Sequence, residues 1–187
     1  MTKIKIALIG EDPNDTTAIR HLMNKKFDYH FKTLSRNHRG SKMFNDFAVK
    51  SYNIELATAA YECVIVIVDA DALPSEKEAI NAKQKKYDEL SKKITCKSLL
   101  LLNIYELEAL ILADIDNVNK YYKTDVSFKG NVTYQVKAKE HLKKLTGNKY
   151  NESESSKVFL SLDFDTVRNN CEYFKEFITN FEKALRA

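Results

Sequence analysis

The chain of 187 residues contains no tryptophan, two prolines, four glycines and three cysteines. So little Gly and Pro leaves too few turn formers for an all-β sandwich, which points to a helix-rich protein. No apolar run approaches the roughly 20 residues that a membrane-spanning helix needs. Cys63, Cys96 and Cys171 are odd in number and lack CxxC spacing, which argues against a disulfide framework and a thiolate zinc site. All three are read as reduced. His21, His30, His38 and His141 show no metal-ligand spacing. No GxxxxGK[ST] phosphate loop is present, so any ATPase function would belong to a partner. The first ten residues have neither the apolar length nor the cleavage site of a signal peptide, and a cytoplasmic location is expected.

What is present suffices for one domain with a genuine core. The 44% of hydrophobic residues and the chain length predict burial of roughly 70% of the unfolded surface. Thirty Lys+Arg against 26 Asp+Glu give a net charge of +4, too mild an excess to identify a nucleic-acid binder.

Hydrophobic patterning predicts alternating strands and helices. Lys3 to Ile9 reads as a strand ending on Gly10-Glu11-Asp12-Pro13, followed by a helix carrying Ala18, Ile19, Leu22 and Met23. Tyr29 to Leu34 reads as a short strand, and the stretch around Met43, Phe44, Phe47 and Ala48 as a helix. Cys63 to Val68 is continuous and β-branched, as in a strand buried on both faces, with Asp69-Ala70-Asp71 at its carboxyl end. Pro74-Ser75 opens a charged helix to about Ile94, Lys97 to Ile104 forms another strand, and Glu106 to Asp114 another helix. The expected fold is α/β, a Rossmann-like, mostly parallel sheet flanked by helices over residues 1–125. Residues 126–187 form a helical carboxyl-terminal extension packed on it, with helical spacing over Val132 to Leu145 and Ser153 to Leu185.

Ligands of open parallel sheets bind outside the carboxyl ends of the strands. Three such ends carry acids here: Glu11, the pair Asp69 and Asp71, and the pair Glu106 and Glu108. Crowded carboxylates repel unless a cation neutralises them, and an oxygen-only donor set without Cys or His suits Mg²⁺ or Mn²⁺, as one or two ions. In an extended chain Asp69 and Asp71 would lie on the same side and face one ion. The competing reading makes them turn formers or helix caps. Glu108 lies nearest the strand end, Glu106 competes for its role, and Asp114 is expected to cap or orient neighbours. Both glutamates are equally compatible with simply favouring the positive end of a helix dipole. Arg36, His38, Arg39, Gly40, Ser41 and Lys42 form a basic turn suited to gripping a phosphate, or an ordinary solvated loop. The lysines at 83, 85, 86, 92 and 93, interleaved with acids, read as a solvent face.

A strand ending in Glu11 and a later apolar strand ending in Asp69-Ala70-Asp71 resemble the Toprim domain of topoisomerases, DnaG-type primases, 5S-rRNA maturation nucleases and the overcoming-lysogenization-defect nucleases. There the glutamate is usually followed by glycine and, four positions on, by an acid. Here Asp12 replaces the glycine and Asp15 supplies the acid. The order Gly40-Ser41-Lys42, Phe47, Asp69-Ala70-Asp71, Glu108-Ala-Leu-Ile-Leu-Ala-Asp114 and a terminal helix is similar to a bacterial Toprim-like family of unknown function. Its hallmark reads roughly Met-Glu-Ala-Trp-Phe-Leu-Ala-Asp, with Leu107 and Leu110 here in place of Met and Trp. This resemblance implies metal-dependent phosphodiester chemistry on DNA or RNA, an association with phage defence, and an ATPase partner of the ABC/AAA type. It implies Glu11 as general base or metal ligand, Asp69 and Asp71 as Mg²⁺ ligands, and Asp15, Glu106 and Glu108 as further candidates. A second reading keeps the Toprim shape as a non-catalytic module that binds a partner ATPase or a nucleotide. A third, a response-regulator-like receiver, has only Asp12 and Asp69 in its favour.

Overall fold

The computed structural model describes residues 3–35, 38 and 40–186. Strands β1 (Lys5–Gly10), β2 (His30–Thr33), β3 (Cys63–Asp69) and β4 (Lys97–Asn103) form one parallel sheet in the order β2-β1-β3-β4. Helices α1 (Pro13–Met23), α2 (Asp46–Ala59) and α3 (Lys77–Ser91) make the connections. The protein is α/β with a parallel sheet flanked by helices, as the alternating pattern predicts. The chain passes from β1 outward to β2 and returns across β1 to β3, so the crevice between the carboxyl ends of β1 and β3 is where the strand order reverses.

β3 is apolar throughout because both of its faces are covered. Val64, Val66 and Val68 pack with α2 and α3, while Cys63, Ile65 and Ile67 pack with α1 and the carboxyl-terminal helices. Each fully buried Val or Ile contributes about 1.5–3 kcal/mol.

Beyond β4 lie α4 (Ala109–Leu112), α5 (Ile115–Tyr122), α6 (Ala138–Leu145), α7 (Ser155–Phe159), α8 (Phe164–Asn170) and α9 (Glu172–Arg186). Phe174, Phe177, Ile178 and Phe181, spaced i, i+3, i+4, i+7, place one face of α9 in the same core as β1 and β3. The ring of Phe181 lies 5.1 Å from Phe27 and 6.2 Å from both Tyr29 and Phe31.

Local chemistry moves several boundaries. The helix expected over 106–114 is a single turn, because Asp114 leaves the helical conformation and caps α5, accepting from the Asn117 amide at 3.4 Å. The helical stretch expected from Val132 to Leu145 is broken: a 3₁₀ turn at Val132–Tyr134 precedes Lys137, which adopts φ 53°, before α6 begins. Helix α3 starts at Lys77 rather than at Pro74-Ser75 and ends at Ser91.

Candidate active site

The end of β1 is built for close approach. A Cβ on Gly10 would lie 3.0 Å from Thr16 Cγ2 and 3.5 Å from Ile67, so any larger residue here would require the Thr16 side chain to give way by a few tenths of an ångström. Asp12 has ordinary extended backbone (φ −128°, ψ 145°), and its side chain accepts from the Asn14 amide at 2.7 Å, with Pro13 opening α1. No left-handed conformation is required there, so an aspartate is accommodated without backbone strain. The same turn holds Glu11 at the strand end and Asp15 on the first turn of the helix.

A cavity of about 570 Å³ opens at this rim, and Glu11, Asp15, Asp69, Asp71, Glu106 and Glu108 all line it. Asp69 closes β3 and accepts from Asn103 Nδ2 at 2.7 Å, a bond between neighbouring strand ends. The expected geometry of the Asp69–Asp71 pair is corrected: Asp71 adopts φ 52°, so the chain leaves the strand after Asp69 and the two carboxylates are not placed by extended alternation. Asp71 is exposed, while Asp69 is half-buried. Glu108 is buried, and its Oε1 accepts from the Tyr150 hydroxyl at 2.8 Å without making a capping bond to α4. Glu106 accepts through Oε2 from the Lys139 amide at 3.0 Å and so serves the amino end of α6. Asp114 stays outside the cavity and accepts from the Asp163 amide at 2.6 Å, the orienting role expected of it.

This arrangement leaves negative potential poorly compensated. Burial, reinforced by Asp12 and Glu108, raises the Asp15 carboxyl to about 7. Burial together with Asp15 pushes Asp69 well above its ordinary value, and burial raises Glu108 against the opposing Tyr150 hydrogen bond.

Lysine side chains supply positive charge at this rim. Lys83 Nζ lies 3.0 Å from Glu11 Oε1 and 3.4 Å from Asp71 Oδ2. Burial acts against its charge, but Glu11 and Asp71 outweigh that penalty and its pKa is raised. Lys83 is therefore not on a solvent face. It stands four and seven residues before Tyr87 and Leu90, in register with the inward stripe of α3, and that register was the signal in the sequence. Lys139, which pairs with Glu152 at 2.9 Å and lines the cavity from the first turn of α6, and Tyr150, which lies between α6 and α7, had no comparable signal.

The basic turn contributes less. Arg36 and Arg39 lie outside the described residues. Gly40, at φ 54°, lines the cavity and donates its N–H to the Glu11 carbonyl at 3.1 Å. Ser41 and Lys42 are exposed and do not line it.

Among the described residues no three His, Cys, Asp or Glu side chains converge closely enough to hold a metal ion. The donor chemistry is nonetheless that of a hard cation, all carboxylate oxygen. Asn103 Oδ1, buried beside Asp69, has no hydrogen-bond partner among the described residues. Two of these carboxylates, Glu11 and Asp71, are already engaged by Lys83.

Fold and site define an α/β protein with an acid-lined cavity at its strand-order reversal. The chain belongs to the family described as Domain of unknown function (DUF4276), whose model matches residues 10–182. No curated protein and no solved structure matches it. Among the described residues no helix is long and apolar enough to cross a membrane.

Proposed function

We propose that the cavity is the active site of a Mg²⁺- or Mn²⁺-dependent phosphodiesterase acting on nucleic acid. The observation that carries this reading is the meeting of acids from three strand ends in one polar cavity, at a density that burial leaves uncompensated. Glu11, Asp69 and Asp71 would hold the ion, with Asp15, Glu106 and Glu108 beside them. The ion would polarise a phosphate and acidify a bound water. The chain's own residues supply the rest. Asp15, raised to about 7, can hold or release a proton near neutrality, the range that general acid–base catalysis needs. Lys83, once off Glu11, is a cation free to meet a phosphate oxygen. The resemblance to Toprim proteins supports this chemistry, and an ATPase partner would supply the trigger.

Calorimetric titration with Mg²⁺ and Mn²⁺, followed by cleavage assays on DNA, rRNA and tRNA, tests the proposal. Micromolar to millimolar binding that is lost in Asp69→Asn is expected, and no binding of either ion would sink the metal-dependent reading. The Lys83 bridge favours a second reading, since it neutralises part of the site without a metal. In that case the protein is a binding module for a partner ATPase or a nucleotide, and titration finds no ion.

A further inference from the structure

Strand β4 is an edge of the sheet, and its outer side is open. A groove of about 910 Å³ runs along it, walled by α3 through Gln84 and Ser91 and by α9 through Glu176, Asn180 and Lys183. These helices cover opposite faces of the sheet, so a groove touching both follows the free edge of β4. The Ala70 amide donates to the Asn103 carbonyl at 2.9 Å, which turns Asn103 toward β3. Successive peptide groups alternate sides, so the N–H and C=O of Ser98, Leu100 and Leu102 point outward into the groove. The usual protections of an edge are missing. β4 has no proline, and its lysine, Lys97, turns back to donate to the Ala184 carbonyl at 2.7 Å.

We propose that β4 pairs antiparallel with β4 of a second copy of this chain, about a two-fold axis at Leu100, forming one eight-stranded sheet. This goes beyond the reading of the acidic cavity and does not depend on it. The register is chosen by the strand itself. An axis at Leu100 pairs Ser98 with Leu102 and Leu100 with its own counterpart, so every outward peptide group of the strand is satisfied. A shift of the axis by one residue along the strand loses one of these pairs, and a shift by two loses two.

Charge complementarity selects the same occupant. Glu176 and Lys183 lie seven residues apart, two turns on one exposed face of α9, about 10 Å along the axis. Helix α9 runs back along β4, with Tyr173 beside the carboxyl end of the strand and Ala184 at Lys97. A two-fold axis near Leu100 therefore sets Glu176 of each copy against Lys183 of the other, with Asn180 facing its own counterpart between them. A seven-residue strand is about 23 Å long. With a helix on each side it presents roughly 500 Å² per copy, about the 1,000 Å² total that a specific interface needs.

Sedimentation of the full chain across about 1 to 100 μM tests this, with binding read as Kd. The wild type is expected to dimerise. Glu176→Lys and Lys183→Glu, both at exposed positions, should each weaken the dimer about tenfold or more, and the double substitution should restore it. Amide exchange at Ser98, Leu100 and Leu102 should slow on dimerisation. A wild type that remains monomeric at the top of this range overturns the proposal. So does a dimer whose affinity ignores the charge swap or whose three amides exchange as in the monomer.

Discussion

Lys83 and Glu11 join the middle of helix α3 to the end of the first strand, their charged atoms 3.0 Å apart at the mouth of the acidic cavity. The pair places a tethered ammonium where, under the proposed function, a soluble cation would bind. Exchanging one for the other is a competition with measurable consequences.

Lys83→Met leaves Glu11 and Asp71 without their partner. Under the proposed function it should tighten Mg²⁺ binding by roughly three- to tenfold, about 0.7–1.4 kcal/mol, because no ammonium has to be displaced. Calorimetric titration of the two proteins compares them directly, and weaker binding in the variant would assign Lys83 to holding the site together.

Asp15 links the cavity to stability. In the unfolded chain it ionises near 3.8, and in the folded protein near 7. Across that window the unfolded state has lost a proton that the folded state keeps, so the Asp15 contribution to stability is largest at low pH, falls as pH rises and levels off above about 7. The slope is on the order of 1 kcal/mol per pH unit. Urea melts in chelator from pH 4 to pH 8 should show Asp15→Asn losing much of this slope. Asp69 and Glu108, shifted in the same direction, retain the remainder.

Tyr150→Phe removes the donor to a buried carboxylate and should cost about 1–3 kcal/mol at pH 8. The cost should shrink toward pH 4, where Glu108 is protonated and needs the hydroxyl less. A urea midpoint that moves equally at both pH values would separate lost packing from the lost hydrogen bond.

Asp69→Asn keeps the shape and the strand-end bond to Asn103 available, so the fold should survive. Under the proposed function, cleavage in Mg²⁺ should fall by at least about 100-fold. Turnover measured beside circular dichroism distinguishes loss of chemistry from loss of structure.

The sheet was legible in the sequence because burial writes itself as periodicity. β3 is apolar on both faces and reads so, and α9 shows its inward stripe without interruption. The gathering of Glu11, Asp69, Asp71, Glu106 and Glu108 followed from knowing only which ends of parallel strands face the same rim, whereas Asp15, on the first turn of α1, entered through the resemblance alone. What periodicity does not carry is backbone handedness. Asp71 and Lys137 take positive φ without being glycine, and each breaks an expected regularity. Long side chains hide in another way. Lys83 looks like one charge among many in α3 until its register with Tyr87 and Leu90 is counted, and Glu106 spends its carboxylate on a helix that begins far along the chain.

The aromatic cluster that seats Phe181 against Phe27, Tyr29 and Phe31 has a consequence for biogenesis. The first two strands emerge from the ribosome long before the helix that seals them. Until α8 and α9 are made, these rings lack their distant partners Phe164 and Phe181. Contacts so distant in sequence close late and slowly. The closure of this face is thus the part of the fold that depends most on contacts between the two ends of the chain.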